Sequence, residues 1–357
     1  MSNKTVLALG ADIKNRFLLA KEKNLFFGPD IGDLSDAKNY EFFKKEAIRA
    51  IKKFKPGIVA HDLHPGYFSA KLAKELNAQH SMLNTIAVQH HYAHIASVIC
   101  EHNLKSPVIG VSFDGAGYGT DGNMWGGEFL IAGKKSFKRA AHFKYRQVPG
   151  ADKVVYEPWR MVLSILKKRS LDILNDVKKQ DKATVLEMLS KNINSPLSSS
   201  VGRLFDAAAA LLGICRRASY EAEGPIKLEA MCAKGIEEKY AFNIIYKDSC
   251  YIIDTDKVFF GMLKDIRNGK DKSLIAAKFH NSMADIIVKV CKNISKKFKI
   301  KDVALSGGVF QNKFLSKKAV MGLKAAGLRV FTNKNTSAND YNISLGQYYV
   351  SCNSGKN

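Results

Sequence analysis

The sequence predicts an α/β protein of two duplicated lobes, each in the order βββαβαβα, facing one another across a nucleotide cleft. Three observations carry this expectation. Apolar stretches of strand length alternate with stretches of helical period along most of the chain. The same order of elements occurs twice, although the two runs are not similar in sequence. Glycine-rich turns, in "SFDGAGYGTDGN" (112–123) and "LSGG" (305–308), directly follow apolar strands. Such turns let an α/β fold bring its backbone close to a ligand.

The first run opens on the apolar strand "TVLALG" (5–10), a polar turn, and the strands "RFLLA" and "NLFF". "EFFKKEAIRAIKKF" (41–54) has helical period, "GIVAHD" (57–62) is a short buried strand, and "GYFSAKLAKEL" (66–76) is helical again. "TIAVQ" (85–89) is a strand, and a helix rich in histidine follows it. The second run begins with "VIGVSFD" (108–114), a glycine-rich turn, "MWGGEFLIA" and "SFKRAAHFKY". After an insertion it resumes with the helix "SLIAAKFHNSMADIIVKVCKNISKKF" (273–298) and the strand "DVALSGG" (302–308). A helix from "VFQNKF", the strand "LRVFT" and the helix "DYNISLGQYYVSC" complete it. The expected division is a first lobe over 1–105, completed by a C-terminal helix at 339–353, and a second lobe over 106–338. The second lobe carries a mostly helical insertion at 150–270. Parallel strands with helical crossovers place ligand groups at strand C-terminal ends. Two such lobes make the architecture of actin, sugar kinases and heat-shock ATPases, which hold a nucleotide between them.

Of 357 residues, 46% are hydrophobic and 25% charged, the balance of an ordinary globular protein. Lys and Arg number 56 against 33 Asp and Glu, a formal net charge of +23, which favours anionic partners. The lysines are scattered over what read as solvated helix faces. Six cysteines stand far apart with no CxxC pair, which excludes zinc-knuckle and thioredoxin signatures and predicts reduced thiols in the cytoplasm. No apolar run reaches the roughly 18 residues of a membrane span, so no membrane association is expected. "MSNKTVLALGAD" enters a strand pattern at once, so no targeting segment is expected.

In "VQHHYAHIASVI" (88–99), His90 and His94 are spaced i, i+4 on one helical face, the spacing of HxxxH metal sites. A third ligand must come from elsewhere, and Asp340 at the start of the last helix is the candidate. Asp114 ends a buried strand, where an unpaired carboxylate is costly, so a metal, a lysine or a ligand hydroxyl is expected beside it. Gly115 and Gly117 follow it and expose amide groups suited to phosphate. Ser306, Gly307 and Gly308 lead into a helix whose N-terminal amides favour an anion. "DLHPGY" (62–67) offers His64 to the same cleft. Asp206 lies in an otherwise apolar helical stretch, which calls for a ribose hydroxyl or an internal ion pair. Glu221, Glu223 and Glu229 cluster beside a Gly-Pro turn.

Together "DLHPGYFSAKLA", "VQHHYAHIASV", "SFDGAGYGTDGNMWGGEFL", "VPGADKVVYEPWRMVL", "GRLFDAAAALLG", "LSGGVFQN" and "LGQ" resemble the C-terminal carbamoyltransferase region of the hydrogenase-maturation HypF family. The resemblance covers nearly the whole chain, in order. The wider superfamily includes tRNA threonylcarbamoyl transferases and antibiotic O-carbamoyltransferases. The resemblance implies one transition metal, iron or zinc, on His90, His94 and Asp340. It implies ATP or AMP, as carbamoyl-adenylate, with phosphate and base near Ser306, Gly307, Gly308 and Asn312, and ribose near Gly202, Asp206 and Glu223. It implies transfer of the carbamoyl group to the C-terminal cysteine of a maturation partner, for the cyanide of the nickel-iron hydrogenase site. His64 would position the acceptor or move a proton, with Asp114 as a second catalytic side chain.

Full-length members carry acylphosphatase, zinc-binding and YrdC-like modules ahead of this region. Their absence from this sequence implies a separate carbamoyl-adenylate-forming partner. The family's Asn-Asp-Gly-Gly is here Asn339-Asp340-Tyr341-Asn342, and its Tyr-Glu-Gly is Tyr220-Glu221-Ala222, so the lost glycines are expected to restrict backbone approach. Two alternatives stay open at this level. One is a tRNA-modifying or small-molecule O-carbamoyltransferase, although nucleic acid is the less expected partner. The other is a nucleotide-binding scaffold that has lost catalysis.

Overall fold

The computed structural model describes residues 5–22, 24–79, 83–105 and 107–354. Ser106, at the expected lobe boundary, lies outside them. The first run folds as β1 (Val6–Ala8), β2 (Leu18–Lys21), β3 (Asn24–Phe27), α1 (Ala37–Phe54), β4 (Ile58–Asp62), α2 (Phe68–Gln79), β5 (Asn84–Val88) and α3 (His90–Glu101). The second opens with β6 (Val108–Tyr118), β7 (Met124–Ala132) and β8 (Phe137–Phe143). The insertion supplies β9 (Arg146–Gln147), α4 (Lys153–Tyr156), α5 (Trp159–Leu166), α6 (Lys179–Lys191), β10 (Leu197–Ser198), α7 (Val201–Leu211), α8 (Glu223–Ala230), β11 (Asn243–Lys247), β12 (Cys250–Asp254) and α9 (Asp256–Arg267). The run closes with α10 (Lys272–Phe298), β13 (Asp302–Ser306), α11 (Lys313–Ala325), β14 (Arg329–Thr332) and α12 (Ile343–Asn353).

The duplication is visible in space. One sheet has the order β3-β2-β1-β4-β5, and the other contains β8-β7-β6-β13-β14. In both, the first three strands are antiparallel neighbours and the last three are parallel. The insertion is less purely helical than its sequence suggests. Its hairpin β11–β12 extends the second sheet, with β12 parallel to β8. That addition covers a sheet edge which would otherwise be free to pair with another chain.

Two helices tie the sheets together by exchange. Helix α3 follows the first sheet in sequence but packs on β6, β7 and β13 of the second. Helix α12 follows the second sheet but packs on β1, β2 and β4 of the first. They also pack on each other, with residues 90–99 of α3 buried throughout. Small residues make this possible. A Cβ on Gly346 would lie 1.8 Å from the Ala93 carbonyl oxygen, and one on Gly110 would meet Ile95 at 2.6 Å. Next to Gly346, the Gln347 amide accepts from Gly10 N–H at 2.8 Å and donates to Gly10 O at 3.1 Å. The "LGQ" motif therefore closes α12 onto α3 and onto the first sheet's opening loop.

The stretch read as a glycine-rich turn after Asp114 is instead a strand with a bulge. Phe113 pairs with Gly127 and Gly117 with Trp125, so residues 114–116 on β6 oppose the single Gly126 on β7. Bulges re-aim side chains, and this one turns Asp114 out of the ladder toward α3. The hairpin turn itself comes later, between Tyr118 and Met124.

Gly346→Ala forces a methyl group into the Ala93 backbone and should cost about 3 kcal/mol of unfolding free energy. Gly57→Ala, where no atom lies within 4 Å of the added carbon, should stay within about 0.5 kcal/mol of wild type. Urea unfolding of both variants checks the pair. Equal stabilities would mean that the α3–α12 crossing relaxes freely.

Candidate metal centre

Four side chains converge where α3, the β6 bulge and the lead-in to α12 meet. His90 Nε2 lies 3.3 Å from Asp114 Oδ2 and 3.7 Å from Asp340 Oδ1. His94 Nε2 lies 3.5 Å and 3.6 Å from the same two atoms. One ligand atom from each of the four lies within 4.8 Å of the others. The i, i+4 spacing of the histidines supplies two of the donors. Asp340, in a short 3-10 turn at 340–342, and Asp114 supply the rest.

The two imidazoles are held from behind. His90 Nδ1 is 2.7 Å from Asp62 Oδ2 at the end of β4. His94 Nδ1 is 2.8 Å from Asn342 Oδ1. Both contacts leave Nε2 aimed into the cluster, the arrangement in which outer partners fix the orientation of metal-binding histidines. The other Asp62 oxygen accepts from His64 N–H at 2.9 Å.

Burial disfavours charge on all of these groups, but their mutual attraction outweighs it. Burial alone would lower the His90 pKa; the carboxylates of Asp62, Asp114 and Asp340 raise it well above the usual imidazole value. Burial alone would raise that of Asp114, yet the two imidazoles hold it well below the carboxylate range. Asp340 is likewise lowered, against both burial and the charge of Asp114.

A cation fits this arrangement. His94 Nε2 is buried and makes no hydrogen bond. Two imidazole nitrogens and two carboxylate oxygens form a donor set suited to zinc or ferrous iron. His90, His94, Asp114 and Asp340 are the residues that would hold it.

Asp114, expected in a catalytic role, stands as a fourth donor to the cluster. His64 lies outside it, stacked on Tyr67 with 4.2 Å between ring centroids and edge-on to Tyr118 at 5.0 Å. Gly117, expected to open the backbone to a ligand, makes room for protein: a Cβ there would meet His91 Cε1 at 2.6 Å. Gly115 is freer, its nearest neighbours being Arg203 Nη2 at 3.5 Å and Glu221 Oε1 at 3.9 Å from such a carbon. Gly202 brings α7 against Gly115, 2.9 Å from its Cα by the same measure.

Several side chains expected at a nucleotide already have partners within the chain. Ser306 Oγ donates to Asn333 Oδ1 at 2.8 Å and accepts from Asn342 Nδ2 at 3.0 Å. Asn312 caps α11 through Leu315 N–H and contacts His280 Nε2. Glu223 accepts from Ser219 and Lys227. The Gly308 N–H donates to Asp114 Oδ1 at 3.2 Å, so this turn steadies the cluster. Gly307 has φ +105° and lies against the Phe113 backbone, a conformation and a fit that only glycine supplies. Asp206 pairs with Arg203 at 3.2 Å, and burial pushes its pKa up to about 6. Its Oδ2 and the Nε and Nη1 of Arg203 make no hydrogen bond.

Sequence reasoning missed two roles. Asp62 was visible as a carboxylate ending a strand, but nothing marked it as the partner of His90. Asn342 was read as a lost glycine. None of residues 339–342 adopts a positive φ, so glycine is not required there. Asn342 is buried, orients His94, and donates to Ser306, Asn333 and the Ser337 carbonyl. The other substitution does carry strain, since Ala222 is left-handed at φ 63°.

Two family models match the chain. "HypF Kae1-like domain" matches residues 1–101 and "Carbamoyltransferase, Kae1-like Domain, second subdomain" matches residues 110–347. The chain belongs to the HypF family. The "Carbamoyltransferase HypF homolog" of Cupriavidus necator is 35% identical over 97% of this chain and 91% of its own length. "Carbamoyltransferase HypF" of Synechocystis is 32% identical over 97% of this chain but 47% of its own. Among solved structures, full-length HypF in the phosphate- and nucleotide-bound form superimposes with a TM-score of 0.92 at 37% identity, over 98% of this chain and 46% of that one. HypF of T. kodakarensis gives 0.87 at 32%, over 98% and 48%. The chain thus spans about half the length of the Synechocystis relative and of both solved structures.

Asn342→Gly restores the residue expected from the family pattern but releases His94 Nδ1. Zinc affinity should fall about 10- to 100-fold, measured by competition with a chromophoric chelator; an unchanged affinity would leave Asn342 with a packing role alone. Ala222→Gly should raise stability by up to about 1 kcal/mol in urea unfolding by relieving the left-handed alanine. A destabilised variant would show that the Ala222 methyl contributes packing worth more than its strain.

Proposed function

We propose that the chain transfers a carbamoyl group from carbamoyl-adenylate to the C-terminal cysteine thiolate of a hydrogenase-maturation partner, for cyanide ligand synthesis. The observation that carries this reading is the buried cluster of His90, His94, Asp114 and Asp340, in which His94 Nε2 makes no hydrogen bond. The names of the relatives supply the reaction class, carbamoyl transfer. The nucleotide-bound relative favours an adenylate as donor.

Iron or zinc held by His90, His94, Asp114 and Asp340 would supply a Lewis acid for the carbamoyl oxygen. The chain's own residues do the remaining work. Asp62 and Asn342 hold the imidazoles by Nδ1, so their Nε2 atoms keep one orientation. Asp206 Oδ2, 3.2 Å from Arg203 Nη1 but without a hydrogen bond, would accept from ribose hydroxyls, and Gly115 keeps that wall low. His64 accepts from Gly66 N–H at Nδ1, 3.0 Å away, which leaves Nε2 as the ring nitrogen that would position the acceptor or move a proton.

Carbamoyl-adenylate is a labile mixed anhydride, so delivery by a docked adenylate-forming protein is favoured over diffusion through water. The net charge of +23 suits an acidic docking partner. All six cysteines are free, which suits a reducing cytoplasm. Among the described residues no helix is long and apolar enough to cross a membrane.

The purified chain should carry about one iron or zinc, read by elemental analysis. His90→Ala with His94→Ala should lose both the metal and the carbamoylation of a cysteine-tailed acceptor peptide, followed by mass spectrometry. Full metal occupancy in the double variant would sink the assignment. An active, metal-free double variant would sink the mechanism.

A further inference from the structure

We propose that Glu101 and Asn333 are positioning residues for the metal centre: a chain of hydrogen bonds, given its direction by the Glu101 carboxylate, holds His94 with its proton on Nδ1 and its lone pair on Nε2, toward the cation. The proposal rests on the metal reading above.

Glu101 ends α3, about two turns beyond His94. Its carboxylate clamps the segment that follows β14. It accepts from Lys334 N–H at 2.5 Å, from Asn335 N–H and Thr336 N–H at 3.0 Å each, and from the Thr336 hydroxyl. Burial alone would raise the Glu101 pKa, yet the Thr336 hydroxyl and the three amides hold it below the usual carboxylate value. The group is therefore ionised and can only accept.

From this end each link has one polarity. The Thr336 hydroxyl donates to Glu101, so it accepts from Asn333 Nδ2, 3.1 Å away. The Ser97 hydroxyl donates to the His94 carbonyl at 2.7 Å, so it too accepts from Asn333 Nδ2, at 2.9 Å. Both amide hydrogens of Asn333 are thereby engaged, and its oxygen faces the other way. There Asn333 Oδ1 accepts from Ser306 Oγ at 2.8 Å and from Asn342 Nδ2 at 3.2 Å. Asn342 Nδ2 also donates to Ser306 Oγ at 3.0 Å and to the Ser337 carbonyl at 2.9 Å. Its Oδ1 is left for His94 Nδ1, 2.8 Å away. An amide oxygen only accepts, so the His94 proton sits on Nδ1 and Nε2 presents a lone pair. Turning the Asn342 amide over would set its oxygen against Asn333 Oδ1 and the Ser337 carbonyl, neither of which can donate.

The two histidines reach the same state by different routes. His90 meets the Asp62 carboxylate directly, and a carboxylate accepts in any orientation. A neutral amide can face either way, so Asn342 needs an outside constraint that Asp62 does not. Helix α3 supplies it: Glu101 and Ser97 brace the segment 333–337, and that segment fixes the partner of His94 on the same helix. Outer contacts of this kind set the tautomer and basicity of metal-binding histidines.

Zinc titration against a chromophoric chelator, with proton–nitrogen spectra of the zinc-loaded, histidine-labelled full chain, tests this. The wild-type chain should show a slowly exchanging Nδ1–H on both His90 and His94. Asn333→Leu, close in shape but apolar, should weaken zinc roughly 10-fold and erase the His94 Nδ1–H signal while sparing that of His90. Thr336→Val should move both readings in the same direction by less, and Thr336→Ser should restore them. An Asn333→Leu chain with wild-type zinc affinity and an intact His94 signal overturns the proposal. So does joint loss of the His90 and His94 signals, which marks general loosening. If Asn333→Leu does not fold, the two Thr336 variants decide by the same readings. A wild-type chain that takes up no zinc overturns the metal reading instead.

Discussion

The crossing of α3 and α12 is the constraint on which the rest depends. Both helices begin at the cleft, and both carry cluster residues at or just before their first turn: His90 and His94 on one, Asp340 and Asn342 leading into the other. The separation of these groups is set by how closely the helix bodies approach, and that is set by Gly346 against the Ala93 carbonyl. A longer side chain at 346 would move the donors apart without touching any of them. The two sheets are then positioned through their contacts with this pair, and the β6 bulge delivers Asp114 to a place already defined.

The electrostatics follow the same logic. Asp62, His90, His94, Asp114 and Asp340 are buried or nearly so, and none would be tolerated there alone. They are stable as a set because each carboxylate faces an imidazole. The outer contacts matter as much as the inner ones, since a ring free to turn about χ2 would no longer aim Nε2. Asn342 is neutral where Asp62 is charged, so the two histidines are held by partners of different strength. The surrounding carboxylates raise the pKa of both histidines, that of His90 the more, and His94 Nε2 makes no hydrogen bond.

Much of this was legible in the sequence because it is local. The duplicated order of elements, the i, i+4 histidines and the carboxylate ending a buried strand all follow from short-range periodicity. The misreadings share a cause. Whether a glycine approaches a ligand or a neighbouring side chain depends on what packs there, so Gly117 looked like a phosphate contact and proved to lie under His91. The bulge at 114–116 was hidden because a run of glycines reads as a turn. The C-terminal helix was expected to complete the first lobe, but the packing of α3 on the second sheet was not, because no local pattern records which sheet a helix covers.

The exchange also bears on how the chain is made. Leu345 and Tyr348 of α12 pack with Val6, Ala8, Ile58 and Ala60 on one face of the first sheet. That face has no cover until residues near 345 have been synthesised, although its strands are complete by about residue 88. At ribosomal speeds of 5–20 residues per second, roughly 250 further residues take on the order of 10 to 50 seconds. During that interval the apolar face of the first sheet lacks its native cover, and off-pathway contacts compete for it.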